Sequence, residues 1–165
     1  DERYVGGESI VRQRIRSGEL GVVMHVEATM TFPNALFLAP TQWRANREET
    51  PCGGLTPMGV HAVDGMIDLC GPIESVFCQS FRRAVEIDAD DTTSILFRMK
   101  DGVSGYLGTI TATGPGFSFQ VFGSQGWVRL EGMTHVAGAS SGERRTRRLT
   151  SSRRVRWRCR RARPS

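Results

Sequence analysis

The chain has 165 residues with a formal net charge of +5, 39% apolar and 24% charged residues, figures ordinary for one soluble globular domain. No run of about 18 apolar residues exists, which excludes a helical membrane span, and the first residues lack the basic-then-apolar pattern of a signal peptide. The four cysteines, Cys52, Cys70, Cys78 and Cys159, stand at irregular spacings with no CxxC pair, so a reduced, cytoplasmic compartment is expected and a disulfide framework or zinc ribbon is not.

The charge is unevenly placed. Residues 142–165 hold eleven Arg and one Glu, a net +10, which leaves residues 1–141 at −5. The expected organisation is a folded body over 1–141 and a disordered Arg-rich tail over 142–165. Asp1 stands where a start methionine would, so the chain is expected to begin inside a larger reading frame.

Along the body, residues 8–20 predict a helix: Ile10, Val11, Ile15 and Leu20 share a stripe, and Ser17-Gly18 stops it. Residues 21–32 predict a strand, with Val22, Met24, Val26, Ala28 and Met30 alternating against a more polar set that includes His25, read as a surface residue. Residues 33–52 form a long irregular connection with three prolines, the sort of loop that often carries function. It contains Trp43-Arg44, which reads equally as a core plug beside a solvated cation or as a substrate clamp. Next comes Gly53-Gly54-Leu55-Thr56-Pro57-Met58-Gly59-Val60-His61-Ala62-Val63-Asp64, a glycine turn opening a helix over 55–70 that Gly71-Pro72 ends.

Strands follow at 73–85, 92–100, 103–113, 117–122 and 127–131, with Asp101-Gly102 as a hairpin turn. Sequential strands with short turns predict an antiparallel meander. The fold class is α+β: an open, mostly antiparallel sheet with helices on one face.

The chemistry points to His61. Histidine is the side chain most readily poised for proton transfer near neutral pH, and here a loop becomes a helix. Asp64, one turn on, reads as an orienting partner for the imidazole or as a solvated residue. His61, Asp64 and Asp68 are suitable metal-ligand types at i, i+3 and i+7, but no second histidine lies nearby in sequence and no metal is expected.

The segment resembles the active-site loop and helix of the Gfo/Idh/MocA family of NAD(P)-dependent sugar and polyol oxidoreductases, in its GG-x-L-x-D-x-G-x-H-x-x-D pattern. Gly53, Gly54, Gly59, His61 and Asp64 match; Pro57 stands where the pattern has Asp. The order of helix, strand, Trp-Arg, glycine motif, Gly-Pro-Ile-Glu-Ser-Val, DG hairpin and Val-Phe-Gly-Ser-Gln-Gly-Trp-Val is similar to the family's second domain over residues 6–132.

That resemblance implies a substrate domain whose catalytic residue is His61, with Trp43, Arg44, Asn46, Thr56 and Asp64 as substrate contacts. It implies NAD or NADP in the intact protein, a small carbohydrate-like substrate, and a homo-oligomer formed through the sheet, with Phe117, Phe119, Phe122 and Trp127 as its aromatic strands. The family's cofactor domain carries a GxGxxG turn and a Lys-Pro dipeptide. This sequence has neither, its single lysine being Lys100 before a hairpin, so the Rossmann domain is absent and no cofactor is expected for this chain alone. A His–Asp proton relay through position 57 is ruled out, because proline has no side-chain acceptor.

The tail has two readings. As a functional arm it is a non-specific nucleic-acid or polyanion binder, the alternative to an enzyme fragment. As translation past a frameshift in a GC-rich gene it replaces strands the family domain needs, and this reading is preferred.

Overall fold

The computed structural model describes residues 2–132. The Arg-rich segment 142–165, with its expected disorder and polyanion binding, lies outside the described residues, as does the expected domain boundary at 141/142.

Among the described residues are two α-helices and six strands: α1 (Glu2–Arg16), β1 (Val23–Thr31), α2 (Gly59–Cys70), β2 (Ile73–Phe81), β3 (Thr92–Met99), β4 (Ser104–Ile110), β5 (Gly116–Gly123) and β6 (Trp127–Gly132). Short 3-10 turns at Asn34–Phe37, Trp43–Ala45 and Gly53–Leu55 punctuate the connection from β1 to α2. The α1 helix starts before the expected residue 8 and ends at Arg16, not residue 20. The Ser17 hydroxyl caps the Arg14 carbonyl at 3.1 Å, and Gly18 at φ 75° turns the chain away.

The sheet order is β2-β3-β4-β1-β5-β6. The expected open, mostly antiparallel sheet is present, but it is not a continuous meander. Strand β1 lies between β4 and β5, parallel to β4 (Ala28 opposite Leu107) and antiparallel to β5 (Ala28 opposite Phe119). A central strand buries its apolar residues best, and Val26, Ala28 and Met30 are all essentially inaccessible.

The helices cover one face. Val11 of α1 and Ala62 and Met66 of α2 join one core with Leu107, Phe119 and Val121 of the sheet. An ion pair between Arg12 and Asp68 ties the two helices together. On α2, Ala62, Gly65, Met66 and Cys70 are buried and His61, Asp64, Ile67 and Asp68 are exposed, which turns the helix's polar stripe outward.

The aromatic strands divide between the two faces. Phe117 and Phe119 are buried on the helix side, so neither belongs to the open face as expected. Phe122 and Trp127 pair with each other on the open face, because alternation sends Val121 and Val128 inward. At the opposite edge Phe77 pairs with Leu96 on that open face, both more than half exposed. His25, on the same face, is half-buried, with Nδ1 2.7 Å from the Ser104 hydroxyl and its ring 5.9 Å from that of Phe122.

The β2 strand stops at Phe81, short of the expected residue 85. Past Arg82, three successive residues turn their N–H groups inward: Arg83, Ala84 and Val85 all donate to Asp91 Oδ2, at 3.0, 2.6 and 3.1 Å.

Candidate active site

The glycine motif is built on a left-handed turn. Cys52 has φ 60° and Gly53 φ 51°. Beyond its dihedral, Gly53 packs so closely on β3's approach that a β-carbon there would overlap the Asp90 carbonyl. The turn is fastened on several sides. The Thr50 hydroxyl donates to the Asn46 carbonyl at 2.8 Å, the Thr56 hydroxyl to the Pro51 carbonyl at 2.6 Å, and the Thr93 hydroxyl to the Cys52 carbonyl at 2.8 Å. These bonds satisfy polar groups that a tight loop would otherwise strand, and they fix where α2 begins. The helix therefore starts at Gly59, four residues later than the spacing predicts.

Beside this turn is a cavity of about 480 Å³. Gly53, Gly54, Pro57 and Met58 form one wall, and Phe37 and Leu38 an apolar one. The charged side chains in its lining are Arg44 and Asp90. Asp90 is nearly buried, at 8% side-chain exposure, and its Oδ1 lies 2.7 Å from Arg47 Nη2. Arg44 has no ion pair among the described residues; its guanidinium carbon sits 4.4 Å over the ring of Trp43. The cavity thus presents one compensated carboxylate and one uncompensated cation that lies over an aromatic ring.

The expected site residues fall in different places. His61 is exposed on the first turn of α2, three residues past Met58 in the cavity wall, and is not itself part of that wall. Its backbone N–H donates to the Met58 carbonyl at 3.2 Å. Asp64 is exposed further along the helix, and among the described residues no hydrogen bond or ion pair joins it to His61. Of Trp43, Arg44, Asn46, Thr56 and Asp64, only Arg44 lines the cavity. Trp43 is half exposed, with its ring under the Arg44 guanidinium. Asn46 is occupied locally, its Oδ1 accepting the Glu48 N–H at 2.8 Å. Among the described residues no group of three or more His, Cys, Asp or Glu side chains could hold a metal.

Asp90 and Asp91 escaped sequence reasoning. They stand in an acidic run, Asp88-Ala89-Asp90-Asp91, between the strands expected at 73–85 and 92–100, and both are buried. Burial alone would raise the Asp91 carboxyl. The three N–H donors and the Thr92 hydroxyl outweigh it and hold the carboxyl below its usual value of 3.8. The only available signal was that two adjacent acids open a strand otherwise made of apolar and hydroxyl residues.

A family model described as the GFO/IDH/MocA C-terminal domain matches residues 9–129. Solved structures agree in fold. The chain superposes on a putative NADPH-dependent oxidoreductase from Desulfitobacterium hafniense DCB-2 with a TM-score of 0.72 and 29% identity, over 74% of this chain and 36% of that one. It superposes on the WlbA dehydrogenase from Bordetella pertussis, solved with NADH and UDP-GlcNAcA, with a TM-score of 0.69 and 23% identity, over 82% and 40%. For a levoglucosan dehydrogenase in complex with NADH and levoglucosan the values are 0.69 and 18%, over 79% and 38%. No curated protein matches the sequence. The chain spans 36 to 40% of the length of these three structures. It belongs to the Gfo/Idh/MocA family and carries that family's C-terminal domain.

Proposed function

We propose that this chain supplies the substrate-binding domain and the acid/base histidine of an NAD(P)-dependent oxidoreductase acting on a sugar, polyol or related small hydroxy compound. The observation that supports the reading is a cavity of about 480 Å³ with an apolar wall and the Arg44 guanidinium, whose lining ends at Met58, three residues before the exposed His61. That volume suits a monosaccharide-sized ligand. WlbA and levoglucosan dehydrogenase, which share the fold, were solved with a nucleotide sugar and an anhydrosugar.

The nicotinamide, when bound in the intact protein, exchanges hydride with the carbon that bears the reacting hydroxyl. The described residues do not fit that cofactor. Gly6-Gly7 lies within α1, Gly114 and Gly116 lie at the β4–β5 connection, and none of these glycines opens a strand–turn–helix unit. The role of this chain is confined to substrate and proton. A neutral His61 accepts the hydroxyl proton as the carbonyl forms, and returns it in the reverse direction. Arg44, steadied by Trp43, receives a substrate oxygen and fixes orientation. The Arg47–Asp90 pair keeps the polar end of the cavity charge-balanced, so Arg44 meets the ligand uncompensated. Pro57 gives no side-chain acceptor beside His61, so the proton leaves the imidazole to solvent.

The open sheet face is assigned to pairing with a second copy, by Phe77, Phe81 and Leu96 at one edge and Phe122 and Trp127 at the other. Among the described residues no helix is long and apolar enough to cross a membrane.

Ligand-observed NMR on the chain with a panel of monosaccharides, polyols and sugar acids tests the reading. Saturation transfer to at least one ligand, lost in Arg44→Gln, supports it. No transfer to any of them overturns it.

A further inference from the structure

Cys52 and Cys78 come from distant elements. Cys52 is the left-handed residue immediately before the glycine motif, and Cys78 lies in the middle of edge strand β2. The hydrogen-bonding pattern brings them together. The Cys52 carbonyl accepts from Thr93 on β3; Thr93 pairs with Ser80 across the β2–β3 ladder, their hydroxyls 2.7 Å apart. Cys78 is two residues from Ser80, so its side chain leaves the same face of β2, the face toward the turn. The Cys52 side chain lies close enough to the Cys78 thiol to perturb it. Cys52 is half-buried and Cys78 exposed, whereas Cys70 is buried.

We infer that Cys52 and Cys78 form a redox-active dithiol that closes to a disulfide and so ties the glycine turn of the candidate site covalently to β2. Most buried cysteines are inert packing residues, and Cys70 is one such. This pair differs in having both a sulfur partner and a route to solvent. Its turn is already fastened to β3, so closure orders little additional chain.

With a low-molecular-weight disulfide such as oxidised glutathione as oxidant, the steps balance. Cys78, the more exposed, loses its proton, and its thiolate attacks one glutathione sulfur. The glutathione S–S bond breaks and one glutathione thiolate leaves and takes up a proton. The Cys52 thiolate then attacks the Cys78 sulfur, the protein disulfide forms, and the second glutathione leaves and is protonated. The two protein thiols lose two electrons in all, and one oxidised glutathione becomes two reduced ones. Burial first, and then the neighbouring Cys52 sulfur, hold the Cys78 thiol above its ordinary value, so oxidation quickens toward alkaline pH.

The test uses the full chain, reduced and then exposed to oxidised glutathione, with intact-mass and non-reducing peptide analysis. The expected product has lost two hydrogens, carries no glutathione, and yields a peptide linking residues 52 and 78. Its Tm is raised by several degrees. Cys52→Ser removes the resolving thiol and is expected to retain a glutathione adduct at Cys78. Cys78→Ser, at an exposed position with little bearing on folding, is expected to abolish the cross-link. The inference is overturned if wild-type protein accumulates separate adducts at the two positions, or if the cross-link recovered joins Cys159 or Cys70 instead.

Discussion

Arg47 closes over Asp90, its Nη2 2.7 Å from a carboxylate oxygen of a side chain that is 8% exposed, at the edge of the cavity that Arg44 lines with no ion pair among the described residues. Two arginines three residues apart thus have opposite assignments. Arg47 neutralises a buried charge, and Arg44, which has no ion pair among the described residues, is the one the proposed function gives to a ligand. Removing Arg47 strands the Asp90 carboxylate in a poorly solvated place. Because Arg47 itself is half exposed, water recovers part of the loss, and Arg47→Ala is expected to cost about 1–3 kcal/mol in urea unfolding. Arg44→Gln is expected to change stability by less than about 0.5 kcal/mol while weakening ligand binding.

Gly53 and Gly18 both have positive φ, 51° and 75°, but differ in their surroundings. A β-carbon at Gly18 meets nothing within 4 Å, whereas at Gly53 it runs into the Asp90 carbonyl. Gly18→Ala therefore bears only the left-handed backbone penalty, about 1 kcal/mol. Gly53→Ala adds displacement of main chain and is expected to cost at least about 2 kcal/mol more. Equal losses in paired denaturation curves would contradict the close approach at the turn.

Asp91 sets an acid limit. Its folded carboxyl titrates below the ordinary 3.8, so above that value the folded form is favoured by the full ionised network, and as pH falls toward and through the folded value the unfolded chain binds the proton first and stability is lost. The urea midpoint is expected to drop from about pH 5 downward and to drop less steeply in Asp91→Asn, which is also less stable near pH 7 because an amide cannot replace an oxygen that accepts three N–H groups.

Thiol reactivity separates the cysteines. Burial pushes the Cys70 thiol up to about 11, on the sheet-facing side of α2. In the reduced native chain at pH 8, a small alkylating reagent is expected to label Cys78 well before Cys70, with Cys70 reacting on unfolding. Labelling of Cys70 at the rate of Cys78 would mean that α2 does not pack as described.

How much of this was legible depends on the kind of information required. Strand β1 could be read because Val26, Ala28 and Met30 repeat at the period of a strand, and α2 because apolar residues recur at helical spacing, although two of them, Val60 and Ile67, are exposed and Ala62, Met66 and Cys70 form the buried stripe. Alternation tells which residues share a face, not which strand lies alongside, so β1's insertion between β4 and β5 had no local signal. The same limit misassigned Phe117 and Phe119: two aromatics on the face opposite Phe122 look alike until the helices choose a side. His61 and Arg44 were visible as types in a loop-to-helix context. The cavity was not, since its wall collects residues from 34 to 111 and its buried acid, Asp90, looks like any turn aspartate.

The central claim is that His61 and Arg44 face one ligand. The direct measurement is protein-observed NMR of the chain titrated with the best-binding sugar of the panel, following the His61 imidazole and the amides of residues 44, 53, 54 and 58. Saturable shifts of the imidazole together with those amides, abolished together by Arg44→Gln, are the expected result. Saturable shifts confined to other surfaces, with the His61 ring unmoved, would contradict it.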